Sequence, residues 1–119
     1  MTIRQIIERV DRMKPNAFDT LDKLRWIAEL DGHLALEVCM MDIQQVQEFE
    51  YTVECLDHQP LAQFPHDGMY EHWLGAKIDY ANGEYDRYQN CMESYNACFE
   101  EFRCWFLNTY DPAQGYKKE

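Results

Sequence analysis

The strongest constraint on this 119-residue chain is a stripe in its C-terminal third. Ala81, Tyr85, Tyr88, Met92, Tyr95, Phe99, Phe102 and Phe106 follow one another at alternating steps of four and three. That spacing lines all eight side chains along one face of a helix. Cys91, Cys98 and Trp105 recur at seven-residue intervals beside them and widen the face. A face this apolar has to be covered, by the rest of the chain, by another molecule, or by both. A helix from about Glu84 to about Asn108 is roughly 35 Å long at 1.5 Å per residue, long enough to be the spine of a small domain.

The segments before it read mostly as helices. Thr2-Ile3-Arg4-Gln5 has the form of a capping box, and Ile3, Ile6, Ile7, Val10 and Met13 then share a face until Pro15 ends the first helix. Asp19 or Thr20 opens a second helix whose stripe is Leu24, Ile27, Leu34, Val38 and Met41, flanked by Leu30 and Ala35. Asp31 falls on the buried side of that stripe, and Gly32 follows it in mid-helix, at a cost of about 1 kcal/mol relative to Ala. One reading is a tight helix crossing with no room for a Cβ; the other is an inward Asp kept to bind a partner. Residues 42–65 are an irregular insertion between helices. Phe49, Tyr51, Val53 and Cys55 alternate with polar residues, as a short strand would, whereas Ile43, Val46, Glu50 and Val53 fit a continued helix equally well. Pro65-His66-Asp67-Gly68 is turn chemistry, with Asp67 as an N-cap. A third helix, about Met69 to Ala81, turns Tyr70, Trp73, Leu74, Ile78 and Ala81 inward. Asn82-Gly83 stops or kinks it. The expected architecture is all-α: one four-helix domain over residues 1–110 with a long C-terminal helix, an insertion at about 42–65 that includes a candidate β-element, and a flexible tail at 111–119.

Charge narrows the function. The net charge is −11, yet residues 1–26 hold six of the eleven bases against four acids, leaving five bases and eighteen acids to the remaining 93 residues. Such a surface repels nucleic acid, so tight nucleic-acid binding is not expected. No run of 18 apolar residues exists for a membrane span, and Met1-Thr2-Ile3-Arg4 lacks the apolar segment of a secretion signal. The five cysteines (Cys39, Cys55, Cys91, Cys98 and Cys104) are odd in number and form no CxxC, which points to reduced thiols serving as small core residues.

Catalytic constellations are missing from the pattern. The sole serine, Ser94, lies inside the long helix. His33 and Glu37 stand at a metal-compatible i, i+4 spacing, but no second pair accompanies them, and His58, His66 and His72 form no ligand set. No HExxH, GxSxG, Walker A or GxGxxG occurs. The expectation is a non-enzymatic protein with no cofactor, no metal and no catalytic residue. Aromatic residues, in contrast, are abundant, and tyrosine suits surfaces that bury a ring while wetting a hydroxyl. Tyr70, Trp73, Tyr80, Tyr85, Tyr88 and Trp105, with Phe49 and Tyr51 of the insertion, are the candidate interface residues.

The run from Met69 to Asn90, MYEHWLGAKIDYANGEYDRYQN, resembles small proteins from tailed-phage and prophage structural clusters of Firmicutes. The shared features are Tyr70-x-x-Trp73-Leu74, Ala76-x-Ile78-Asp79, Ala81-Asn82-Gly83-Glu84 and Arg87-Tyr88. Ile6 to Asn16 and Trp26 to Gly32 are also similar; residues 42–60 are not covered, and Cys91, Cys98 and Cys104 depart from the pattern. The family resembled is that of head–tail connectors, or adaptors. The resemblance implies an all-α subunit that docks under the phage portal protein, meets other head–tail joining proteins, and forms a homo-oligomeric ring lining the DNA exit channel, while remaining compatible with a monomer in solution. It places the protein in the bacterial host cytoplasm during assembly and then in the virion. An acidic surface suits a channel through which DNA slides. The rival expectation is a small acidic phage protein that mimics DNA and inhibits a host DNA-binding protein.

Overall fold

The four long helices of the computed structural model, which describes residues 1–46, 50–111 and 115–116, can be traced to local signals. Helix α1 spans Ile3–Met13. Its capping box is complete: the Gln5 amide donates to the Thr2 hydroxyl, and the Thr2 amide donates to the Gln5 side chain. Ile3, Ile6, Ile7 and Val10 are buried on one face, as their spacing requires. The chain then turns through Asn16, whose side chain accepts from the Phe18 amide and donates to Asp11. Helix α2 spans Thr20–Glu37 and buries Leu24, Ile27, Leu30, Leu34 and Ala35. It also buries Lys23, whose ammonium reaches Asp11 at 2.7 Å and so ties α2 to the end of α1.

The insertion holds no strand among its described residues. It consists of a four-residue helix α3, Ile43–Val46, a single 3-10 turn at Val53–Cys55, and turns. The expected alternation misleads because only part of it packs: Tyr51 points inward, while Val53 is exposed. What anchors the insertion is Leu56 and Ala62, both buried, and backbone hydrogen bonds from Ile3 and Arg4 to the carbonyls of His58 and Leu56. Phe49 lies outside the described residues.

Helix α4 spans Gly68–Ala81 and helix α5 Tyr85–Thr109. Asn82-Gly83 separates them fully, since Gly83 adopts a φ of +74°, a left-handed conformation that glycine tolerates. The two helices therefore fold back as a hairpin. Ring pairs mark its antiparallel register: His66 with Phe102, Trp73 with Tyr95, and Tyr80 with Tyr88, at 5.6, 5.2 and 5.2 Å between centroids.

The spine is α4 rather than the longer α5. Helix α4 packs against α1 and α2 on one side and α5 on the other, and buries Met69, Tyr70, Leu74, Gly75, Ala76, Ile78 and Asp79. Helix α5 is an outer layer laid on α4, and of the seven stripe residues it carries, from Tyr85 to Phe106, only Tyr95, Phe102 and Phe106 are buried. The fold is all-α, elongated to 45 × 30 × 23 Å. Beyond α5, strand β1 (Tyr110–Asp111) pairs antiparallel with strand β2 (Gly115–Tyr116). Much of the tail expected at 111–119 lies outside the described residues.

Candidate interaction surface

The α4–α5 turn end exposes tyrosines, whereas Tyr70, Tyr95, Phe102 and Phe106 farther along the hairpin are buried. Tyr80 and Tyr85 are 58% and 59% exposed, and the Tyr80 ring meets those of Tyr85 and Tyr88 edge-on at 5.5 and 5.2 Å. A groove of about 330 Å³ runs beside them, lined by Trp73, Ala76, Lys77, Tyr80, Tyr88 and Met92. Lys77 extends its ammonium over the Trp73 ring, 4.8 Å from the centroid, and pairs with Glu29 of α2 at 3.3 Å. Trp73 is fixed from below by a hydrogen bond from its indole nitrogen to the Trp26 carbonyl, 2.8 Å. The groove thus has a rigid aromatic floor and a tyrosine rim whose hydroxyls can reach solvent or a partner.

Of the candidate interface residues, Trp73, Tyr80, Tyr85 and Tyr88 come together here. Trp105 stands at the opposite end of the hairpin, with the His66 ring at 5.0 Å. Tyr70 is not on the surface: it is fully buried, and its hydroxyl donates to Asp31 while accepting from the Ala62 amide at 2.8 Å. Tyr51 also donates to Asp31, and the Leu61 amide completes the set at 3.2 Å. These two tyrosines clamp the insertion to α2 and α4. Asp31 is inward for an internal reason, and it has three donors. Gly32 is not a forced small residue, because a Cβ there would meet Val46 at 3.5 Å, an ordinary contact.

Burial raises the pKa of Asp31, against the opposing effect of its hydrogen bonds to Tyr51, Tyr70 and Leu61. Burial and the neighbouring carboxylate likewise push the Tyr51 and Tyr70 phenols up, so both remain donors. This is an internal structural cluster, open to solvent on the Tyr51 side. Among the described residues no group of three His, Cys, Asp or Glu side chains is placed to hold a metal. His33 and Glu37 meet at 3.8 Å, both exposed on α2.

Two further features differ in how far local sequence encodes them. Lys77, at i+4 from Trp73 and i−3 from Tyr80, follows from helix spacing and was open to discovery. The second, a cluster of Lys14, Asp79 and Cys91, joins residues up to 77 positions apart and leaves no sequence signal. Compared with protein-family models, curated proteins and solved structures, the chain matches none.

Proposed function

We propose that this protein is a non-enzymatic assembly subunit that binds a protein neighbour through the turn end of the α4–α5 hairpin. The observation that carries this reading is the exposed cluster of Tyr80 and Tyr85 beside the Trp73–Tyr88 groove, on a chain of net charge −11. Aromatic residues held rigidly at a surface anchor protein interfaces, and they do so at low entropic cost. The resemblance of residues 69–90 to head–tail connector proteins of tailed phages supplies the biological setting. In that setting the neighbour is the portal protein or another copy in a ring, and the acidic surface lets DNA pass without adhering.

The test is reconstitution. The purified chain is mixed with a ring of the portal protein from the same gene cluster and analysed by size-exclusion chromatography with light scattering. Co-elution supports the reading. A chain that stays apart from the portal, or that binds duplex DNA at micromolar affinity in physiological salt, contradicts it.

A further inference from the structure

The half of α5 nearest the turn is held down at one polar point. Lys14, the C-cap residue of α1, extends its side chain across α4. Its ammonium contacts the Asp79 carboxylate and lies 3.3 Å from the Cys91 sulfur of α5. The Cys91 sulfur is itself 3.5 Å from the same carboxylate. Gly75 leaves room for the meeting: a Cβ there would stand 3.3 Å from the sulfur and 3.4 Å from Lys14 Cε. Asp79 is almost wholly buried, whereas Lys14 and the Cys91 residue are partly open to solvent. Among the described residues no other cysteine is hydrogen-bonded to a lysine.

We propose that Lys14 and Cys91 are an oxidative crosslinking site, in which a peroxide converts the thiol to a sulfenic acid and the lysine nitrogen closes on it as a sulfenamide. In the first step the sulfur attacks a peroxide oxygen. An S–O bond forms, the O–O bond breaks, and water leaves with the thiol proton. In the second, the lysine nitrogen, freed of its extra proton, attacks that sulfur. An S–N bond forms, the S–O bond breaks, and the oxygen departs as a second water. Sulfur loses two electrons, the peroxide gains two, and the ammonium releases one net proton. Burial disfavours the charge on Lys14, but the hydrogen bonds to Asp79 and Cys91 outweigh it and raise the pKa. The proton is therefore released to water, to which Lys14 is partly open, as the S–N bond forms. The link joins α1 to α5 across α4 and fastens the tyrosine end of the hairpin to the body. A thiol reductant reverses it, restoring the thiol and the amine.

Peptide mapping tests this on the full chain. The protein is treated with hydrogen peroxide, remaining thiols are alkylated, and the digest is analysed by mass spectrometry. The expected product is a peptide pair joined through Lys14 and Cys91, two hydrogens lighter than its parts, released by dithiothreitol, and about tenfold more abundant than any other lysine–cysteine link. Lys14→Arg keeps a cation for Asp79 and should lack the product, while Cys91→Ser should lack it too. Should either variant fail to fold, the wild-type map decides alone. Recovery of Cys91 from the wild-type protein only as free thiol, sulfinic acid or a disulfide overturns the proposal, as does equal linkage at the exposed Cys104.

Discussion

The two ends of the α4–α5 hairpin carry the same kinds of side chain and cover them to different extents, although Trp105 and Leu107 at the base are exposed too. At the base, Tyr95, Phe102 and Phe106 are buried, and Tyr70 of α4 is locked to Asp31 of α2. At the turn, Tyr80 and Tyr85 continue the aromatic run into solvent, and Tyr88 is half-buried. The insertion and α2 close over the base through Tyr51, Tyr70 and Asp31; at the turn, α1 and α2 reach only the inner side of α4, through Lys14–Asp79 and Lys77–Glu29, and leave Tyr80 and Tyr85 open. A helical stripe therefore specifies which face must be covered, and the placement of the neighbouring elements decides how much of it the chain itself covers. The uncovered remainder is where a partner gains most, since burying exposed rings is favourable by about 25 cal/mol per Å².

The largest expected effect lies at the base. Phe102 is 3% exposed, and Phe102→Ala should cost about 3–5 kcal/mol in a chemical melt. A loss below about 1 kcal/mol would mean the base is no better covered than the turn, and the contrast would collapse. Phe99, only half-buried, should cost less than Phe102.

Next in size is the clamp that closes the base. Asp31→Ala leaves the Tyr51 and Tyr70 hydroxyls and the Leu61 amide without their acceptor, and should cost about 3 kcal/mol. The clamp also has a pH signature. Because burial raises the Asp31 pKa in the folded state, the protonated form is the one folding favours. Its contribution is complete below the unfolded value of about 4 and is lost as pH rises through the raised folded value. Denaturant melts from pH 4 upward should show that loss in the wild-type protein and not in Asp31→Asn. An identical pH profile for both would show that Asp31 is not desolvated as its burial implies.

A smaller effect of opposite sign is expected away from the hairpin. Gly32→Ala should stabilise by up to about 1 kcal/mol, since a Cβ fits against Val46 and helix propensity improves. Destabilisation would restore the crowded helix crossing that the spacing at Asp31-Gly32 first suggested. Smallest of all is the turn end itself: Tyr85→Ala should change stability by less than about 0.5 kcal/mol.

Legibility followed the range of the interactions. Helices α1, α2, α4 and α5 were readable because capping residues, Pro15, Gly83 and the apolar steps act within a few positions. The identity of the spine was not. The stripe on α5 is longer and more aromatic than that of α4, yet α4 is flanked on two sides, and only tertiary placement reveals that. Asp31 was visible as an inward acid, but its donors lie 20 to 39 residues away. Tyr51 and Tyr70 were therefore grouped with the surface tyrosines. Of the candidate surface, Trp73, Tyr80, Tyr85 and Tyr88 could be named from spacing; that Trp105 stands apart from them follows only from the hairpin's register.

The central claim is that the exposed Tyr80 and Tyr85 bind a neighbour and contribute little to the stability of the isolated chain. The direct measurement is binding to the proposed portal ring by the combined Tyr80→Ala and Tyr85→Ala variant, with its denaturant midpoint recorded beside that of the wild type. The account predicts a nearly unchanged midpoint and lost co-elution. A variant that co-elutes as the wild type does, or one that unfolds instead, would contradict it.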